Sequence, residues 1–223
     1  SVGSNVAMKL SEKAGIRCVT LSPAVGESLG VAVASVRSGG WGLLDTRRER
    51  LPLKLVTDIF ERLVERTTGA TGLPGLAMHW SDTRGVSVPK PSKEVKHVLL
   101  VQLPAGTPLK DCKELINCPG RVLLLQPDSA SDLQSYVEHP LADTGRVSGW
   151  VVAGNEATNS DSDVGAFVAA QRALALTDQP VFIHGGLGPR ATQALAAMGI
   201  AGAVLDDALV GMPEAPRFFK PQR

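Results

Sequence analysis

The chain has 223 residues, of which 43% are hydrophobic and 20% charged, enough apolar material for one well-filled core and too much for a disordered chain. Its 23 Lys plus Arg against 22 Asp plus Glu leave a net charge of +1, which provides no broad field for a nucleic-acid backbone or an anionic lipid surface. Apolar stretches such as 98–103 and 122–125 stop well short of the about 20 residues a membrane span needs, and Cys18, Cys112 and Cys118 are odd in number and lack metal-ligand spacing. The expectation is a soluble, cytoplasmic protein that binds neither nucleic acid, membrane nor metal.

Residues 1–15 are polar and Gly/Ser-bearing, as in a linker or tag remnant, and 212–223 carry three prolines, as in a C-terminal linker. Between them, residues 16–211 form one domain. It begins with an apolar run at 17–21, and further runs follow at 41–44, 76–80, 97–103, 121–126, 149–153, 181–184 and 203–205. Stretches of helical period separate them at 27–38, 53–66, 109–116, 131–138, 163–176 and 189–198. Asp163 is placed as an N-cap, Pro189 as a first-turn proline and Gly199 as a C-cap glycine. Pro89 and Pro91 make the third crossover an irregular loop, and no helix of ordinary length follows Leu205.

Strands alternating with helices imply parallel pairing, because a parallel connection needs a crossover. Eight such units is the count that closes a barrel, so the predicted fold is an α/β, (β/α)8 TIM barrel with minimal loops, an irregular third helix and an absent or vestigial eighth. The functional face of such a barrel lies at the C-terminal strand ends. Those ends carry Ser22, Asp45, His79, Gln102, Gln126 with Asp128, Glu156, His184, and Asp206 with Asp207.

Glycines at Gly154, Gly185, Gly186 and Gly188 follow strands six and seven, and Gly185 and Gly186 come directly before a helix, where backbone N–H groups can approach an anion. A tight turn alone would also use glycine there. His184 and His79 are the catalytic candidates, and Glu156 is expected to order its loop by accepting backbone N–H bonds. His97 and His139 belong to the opposite face or to solvent. Arg47, Arg48 and Arg50 form a charge run of the kind that is usually a solvated loop.

Taken together, Gly154, Glu156 and Ala157, the run from Phe182 to Leu187, Ala194 to Val204, and the opening stretch from Ala32 to Leu44 resemble the nitronate monooxygenase (2-nitropropane dioxygenase) family and its flavin-binding enoyl reductase relatives. Gly202 to Leu209, G-A-V-L-D-D-A-L, is similar to the barrel domains of this family fused to type I polyketide synthases and to polyunsaturated-fatty-acid-synthase-like megasynthases. The resemblance implies an FMN site formed by Ser22, Gly154, Glu156, Gly185, Gly186 and Gly188. Neighbouring megasynthase domains, with acyl carrier protein among them, are its implied partners.

Departures from the family pattern set the expected activity. Thr158-Asn159-Ser160 stand where the family places its catalytic His, and Met78-His79-Trp80 where it presents an asparagine. Asp206 and Asp207 put negative charge beside the phosphate position, and two unit charges about 4 Å apart repel by roughly 4 kcal/mol at an effective dielectric of about 20. FMN binding is therefore expected to be weak or absent, and the domain to be a degenerate, structural or docking element, a pseudoenzyme. The alternative is an active FMN-dependent enoyl reductase or nitronate monooxygenase-type enzyme acting on an acyl intermediate. A phosphate-binding isomerase or aldolase is a third reading, its aldolase form weakened by the lack of a strand-end lysine.

Overall fold

The computed structural model describes residues 16–24, 29–47, 51–83, 88–91, 94–116, 120–142, 145–155, 157, 162–185 and 187–206. The proposed linkers, Cys118, Glu156, Thr158-Asn159-Ser160, Gly186, Asp207 and any helix after strand eight lie outside them. Eight parallel strands close into a barrel: β1 (Arg17–Pro23), β2 (Trp41–Asp45), β3 (Leu73–His79), β4 (His97–Leu103), β5 (Arg121–Pro127), β6 (Val147–Ala153), β7 (Val181–His184) and β8 (Gly202–Leu205). The last strand returns to the first with Arg17 opposite Gly202 and Thr20 opposite Leu205. This is the (β/α)8 barrel expected from the sequence. No helix among the described residues is long and apolar enough to cross a membrane.

Among the described residues six α-helices pack around the barrel: α1 (Gly30–Arg37), α2 (Leu53–Arg66), α3 (Lys113–Ile116), α4 (Ala130–Val137), α5 (Ala166–Leu176) and α6 (Pro189–Ala197). In α2 the buried residues Val56, Ile59, Phe60, Leu63 and Val64 follow the three-and-four spacing of one helix face. Pro189 sits in the first turn of α6, and Gly199, at φ +101°, ends it while Ile200 N–H donates to the Leu195 carbonyl. The third crossover holds a single 3₁₀ turn at Trp80–Asp82 and no α-helix among its described residues.

Several boundaries differ from the sequence reading. The third strand starts at Leu73, where Leu73, Pro74 and Gly75 are registered opposite Trp41, Gly42 and Leu43 of β2. The sixth starts at Val147, ahead of a register shift opposite Leu123 and Leu124. The fourth crossover opens as 3₁₀ at Leu109–Cys112 before α3. Asp163 does not cap α5: Gly165 is the N-cap, and Asp163 is exposed upstream of it.

Alternation along the strands divides the apolar residues in two. Val19, Leu21, Leu43, Ala77, Val98, Leu100, Leu124, Val151, Phe182 and Val204 fill the barrel interior, and the opposite rows pack under the helices. Cys18 is buried in the outer layer, where desolvation pushes its thiol up to about 12, so it acts as a small hydrophobe. The N-terminal end of the barrel is closed by aromatic packing. Phe182 stacks on Trp41 with ring centroids 5.7 Å apart, and the Arg17 guanidinium lies 5.2 Å from the Trp41 ring.

Two glycines make room for this plug. A Cβ on Gly202 would lie 2.4 Å from the Phe182 ring, and one on Gly149 would lie 2.8 Å from it. Gly202→Ala is therefore expected to cost about 1–3 kcal/mol in chemical denaturation, with a smaller loss in a Phe182→Leu background, where the clashing ring is gone.

His97 begins β4 at the same end, buried with its ring edge-on to Phe60. Its Nδ1–H donates to the Val95 carbonyl at 2.9 Å. Burial holds its pKa below the ordinary 6.5 against the opposing pull of that hydrogen bond, and the Arg121 and Lys90 charges lower it further. The unfolded chain thus accepts a proton more readily than the folded one. This contribution to stability is present above about pH 6.5 and is lost as pH falls through the lower folded value. His97→Gln should flatten that part of the stability-against-pH curve, measured by denaturant midpoints between about pH 7 and 5.

Candidate functional site

At the C-terminal strand ends the inward row turns polar. Asp45 ends β2, His79 ends β3, and register places His79 beside Gln102 of β4, which in turn faces Gln126 of β5. Two residues beyond Asp45, the chain turns so that the Arg47 backbone N–H donates to the Asp45 carboxylate at 3.0 Å. The Arg47 side chain folds back over the mouth, its Nε and Nη2 donating to the two Asp45 oxygens at 2.8 and 3.0 Å. Its Nη1 donates to Gln126 Oε1 at 3.0 Å and reaches Gln102 Oε1 at 3.4 Å. His79 Nε2–H donates to the Arg47 carbonyl at 3.1 Å, and the Gln102 amide continues the chain to Asp128 at 3.3 Å.

This corrects the solvated-loop reading of Arg47: its side chain is 8% exposed and that of Asp45 is 4%. Charge runs are solvated when nothing nearby neutralises them. Here an aspartate two positions earlier, at a strand end, provides a bidentate partner inside the mouth. The Asp45-x-Arg47 spacing was the available signal. Arg48 and Arg50 lie outside the described residues.

Across the barrel, His184 ends β7 and its Nε2–H donates to Asp206 Oδ2 at 2.8 Å; both side chains are buried. Asp206 therefore turns into the mouth and pairs with an imidazole. Between the two polar sets, β6 offers Ala153, and a cavity of about 520 Å³ runs from the mouth past it toward α4 and α5. Such a volume is in the range of small-molecule sites, about 300–1,000 Å³. Its polar wall is Asp45, Arg47, His79, Gln102, Gln126 and His184; its apolar wall includes Leu133, Val152, Ala169 and Ala173. Asp163 and Arg172, both exposed, stand at the rim. Neither was singled out for the site by sequence, because a helix-face arginine has no local signature of ligand contact.

The candidates are thus divided. His79 and His184 both line the cavity, on opposite strands of the barrel. Ser22 is buried on β1 in the outward-facing row with Cys18 and Thr20, and is not among the lining residues. Gly154 N–H donates to the His184 carbonyl at 3.0 Å, and Gly188 is the N-cap of α6, its carbonyl accepting from Thr192. Gly185 N–H donates to the Val204 carbonyl at 3.4 Å, extending the ladder from β7 to β8. The expectation that this N–H points into the mouth is corrected: the sheet uses it. His139, assigned by the sequence to the opposite face or to solvent, lies half-buried after α4 with Nδ1 accepting from Leu141 N–H. No cluster of three metal-ligating side chains occurs among the described residues.

No protein-family model matches the chain, and no curated protein matches it in sequence. Solved structures share its fold. A mutant of FabK from Thermotoga maritima superposes with a TM-score of 0.64 at 17% identity, over 93% of this chain and 67% of that one. Another structure of the same FabK gives 0.62 at 16%, over 93% and 64%. Thiamine phosphate pyrophosphorylase from Pyrococcus furiosus gives 0.61 at 14%, over 89% of each chain. The chain thus spans about two thirds of the FabK length. At these identities the likeness is one of fold.

Removing Arg47 alone would take the bidentate guanidinium from the buried Asp45 carboxylate. Arg47→Met is expected to cost about 3–5 kcal/mol in denaturant unfolding, and adding Asp45→Asn should recover much of the loss.

Proposed function

We propose that this chain is a flavin-oxidoreductase-like barrel domain of a type I polyketide or fatty acid synthase that does not carry out flavin redox chemistry and serves a structural or docking role there. The fold shared with FabK and the resemblance of 153–157 and 182–205 to flavin enoyl reductases support the ancestry. One observation carries the loss of flavin: at the strand-seven and strand-eight tips, where barrels of this class place phosphate, the Gly185 N–H is committed to Val204 and the Asp206 carboxylate is turned into the mouth.

The rest of the mouth agrees. Asp45, Asp128 and Asp163 outnumber Arg47 and Arg172 among the cavity-lining charges, and Arg47 already spends most of its donors on Asp45 and the two glutamines. A phosphate dianion would meet no unpaired guanidinium at the described strand tips and would approach a buried carboxylate. These features argue against a phosphate cradle for FMN at the described strand tips. In this reading the partners are neighbouring synthase domains, acyl carrier protein among them.

The cavity itself favours a second reading, an active FMN-dependent oxidoreductase acting on an acyl intermediate, because a ligand-sized space persists beside Ala153. Titration of FMN into the protein, followed by flavin fluorescence, separates the two. The expected result is a dissociation constant weaker than about 1 μM, corresponding to less than about 8 kcal/mol of binding. Tighter binding overturns the scaffold reading and establishes the second.

A further inference from the structure

The ring of hydrogen bonds across β2 to β5 leaves the pair on β7 and β8 out. His184 is registered opposite Val204, so Asp206, two residues further on, projects to the same inward side. The two side chains are 3% and 1% exposed. Because the carboxylate accepts from Nε2, the proton of the neutral ring is held on Nε2 and the lone pair falls on Nδ1. That Nδ1, itself almost without accessible surface, has no hydrogen-bond partner among the described residues. A buried polar pair kept only to stabilise a core satisfies its nitrogens, and an imidazole ordered on one side and vacant on the other is the arrangement of a general base waiting for a donor.

The surroundings define the donor. His184 lines a cavity whose far wall is apolar at Leu133, Val152, Ala169 and Ala173 and whose charges are dominated by carboxylates. An uncharged, partly hydrocarbon molecule meets neither an electrostatic penalty nor an unpaired polar wall there. We propose that His184, held in its tautomer by Asp206, is a general base that takes a proton from an uncharged substrate in this cavity, in an isomerisation or elimination that transfers no electrons to a cofactor. Asp206 is the positioning residue. This activity goes beyond the scaffold reading, and the assay below contains no flavin, so the two can fail separately.

The probe is 5-nitrobenzisoxazole, a neutral aromatic carbon acid. The base removes the ring C–H proton, the C–H electron pair becomes the third carbon–nitrogen bond, and the N–O bond breaks with its pair going to oxygen. The product is a coloured cyanophenolate, and the imidazolium returns its proton to water. The purified protein should convert the probe saturably and faster than equimolar free imidazole, and His184→Gln should lower the rate by about 10²-fold or more. His139→Gln, away from the cavity, should leave it unchanged. Asp206→Asn should reduce the rate about tenfold or more, since its amide can donate to Nε2 and shift the ring proton to Nδ1. Long-range ¹H–¹⁵N spectra should show that shift directly, and in the unmodified protein should place the proton of the neutral His184 ring on Nε2. The proposal is overturned by a rate no better than free imidazole, by a His184→Gln variant as fast as the parent, or by a parent ring protonated on Nδ1. The last measurement needs no variant to fold.

Discussion

A strand closed into a parallel barrel has one row of side chains with only the barrel axis to fill, and the content of this molecule follows from how that row is spent. Eight inward rows converge on a narrow axis, so their residues must be sized against one another layer by layer. At the N-terminal end Phe182 takes the centre because Gly149 and Gly202 give up their side chains to it. Midway, Val19, Leu43, Val98, Leu100, Leu124 and Val204 close the interior with branched aliphatics. At the C-terminal end the same rows finish in Asp45, His79, Gln102, Gln126, His184 and Asp206. Polar groups there sit too deep for free hydration, and most of them find partners across neighbouring strands.

Those partnerships come in two separate sets. On the side of β2 to β5, one arginine gathers a carboxylate and two amides into a ring that uses most of its donors. On the side of β7 and β8, a carboxylate and an imidazole pair with each other. Ala153 of β6 separates the sets, and its small side chain lets the cavity continue outward past the barrel wall. The first set satisfies most of its polar groups internally. The second retains an unfilled nitrogen, and that difference assigns structure to one and chemistry to the other.

Much of the fold was legible because period and punctuation agreed. The bounds of α2 at Leu53–Arg66, of β4 at His97–Leu103 and of β7 at Val181–His184 match the sequence reading residue for residue. Where local signals misled, a long-range partner explains it. The sequence reading opens the third strand at Leu76, yet β2 pairs with it from Leu73 onward; Asp163 looks like a cap, yet the chain turns into α5 at Gly165. The site was only partly visible for the same reason. His79 and His184 were found by their place at strand ends, whereas the role of Arg47 depends on Gln102 and Gln126, 55 and 79 residues away. The Gly185 N–H illustrates the converse: a glycine beside a helix start suggested an anion cradle, and a carbonyl on the next strand had already claimed it.

The aromatic plug of Phe182, Trp41 and Arg17 makes the barrel a blind vessel with a floor at one end and an open rim at the other. Entry and exit then share one route among the described residues: a molecule that enters past Asp163 and Arg172 leaves by the same rim. Any neighbouring domain resting on that rim would set the rate of both arrival and departure, without touching a residue of the interior.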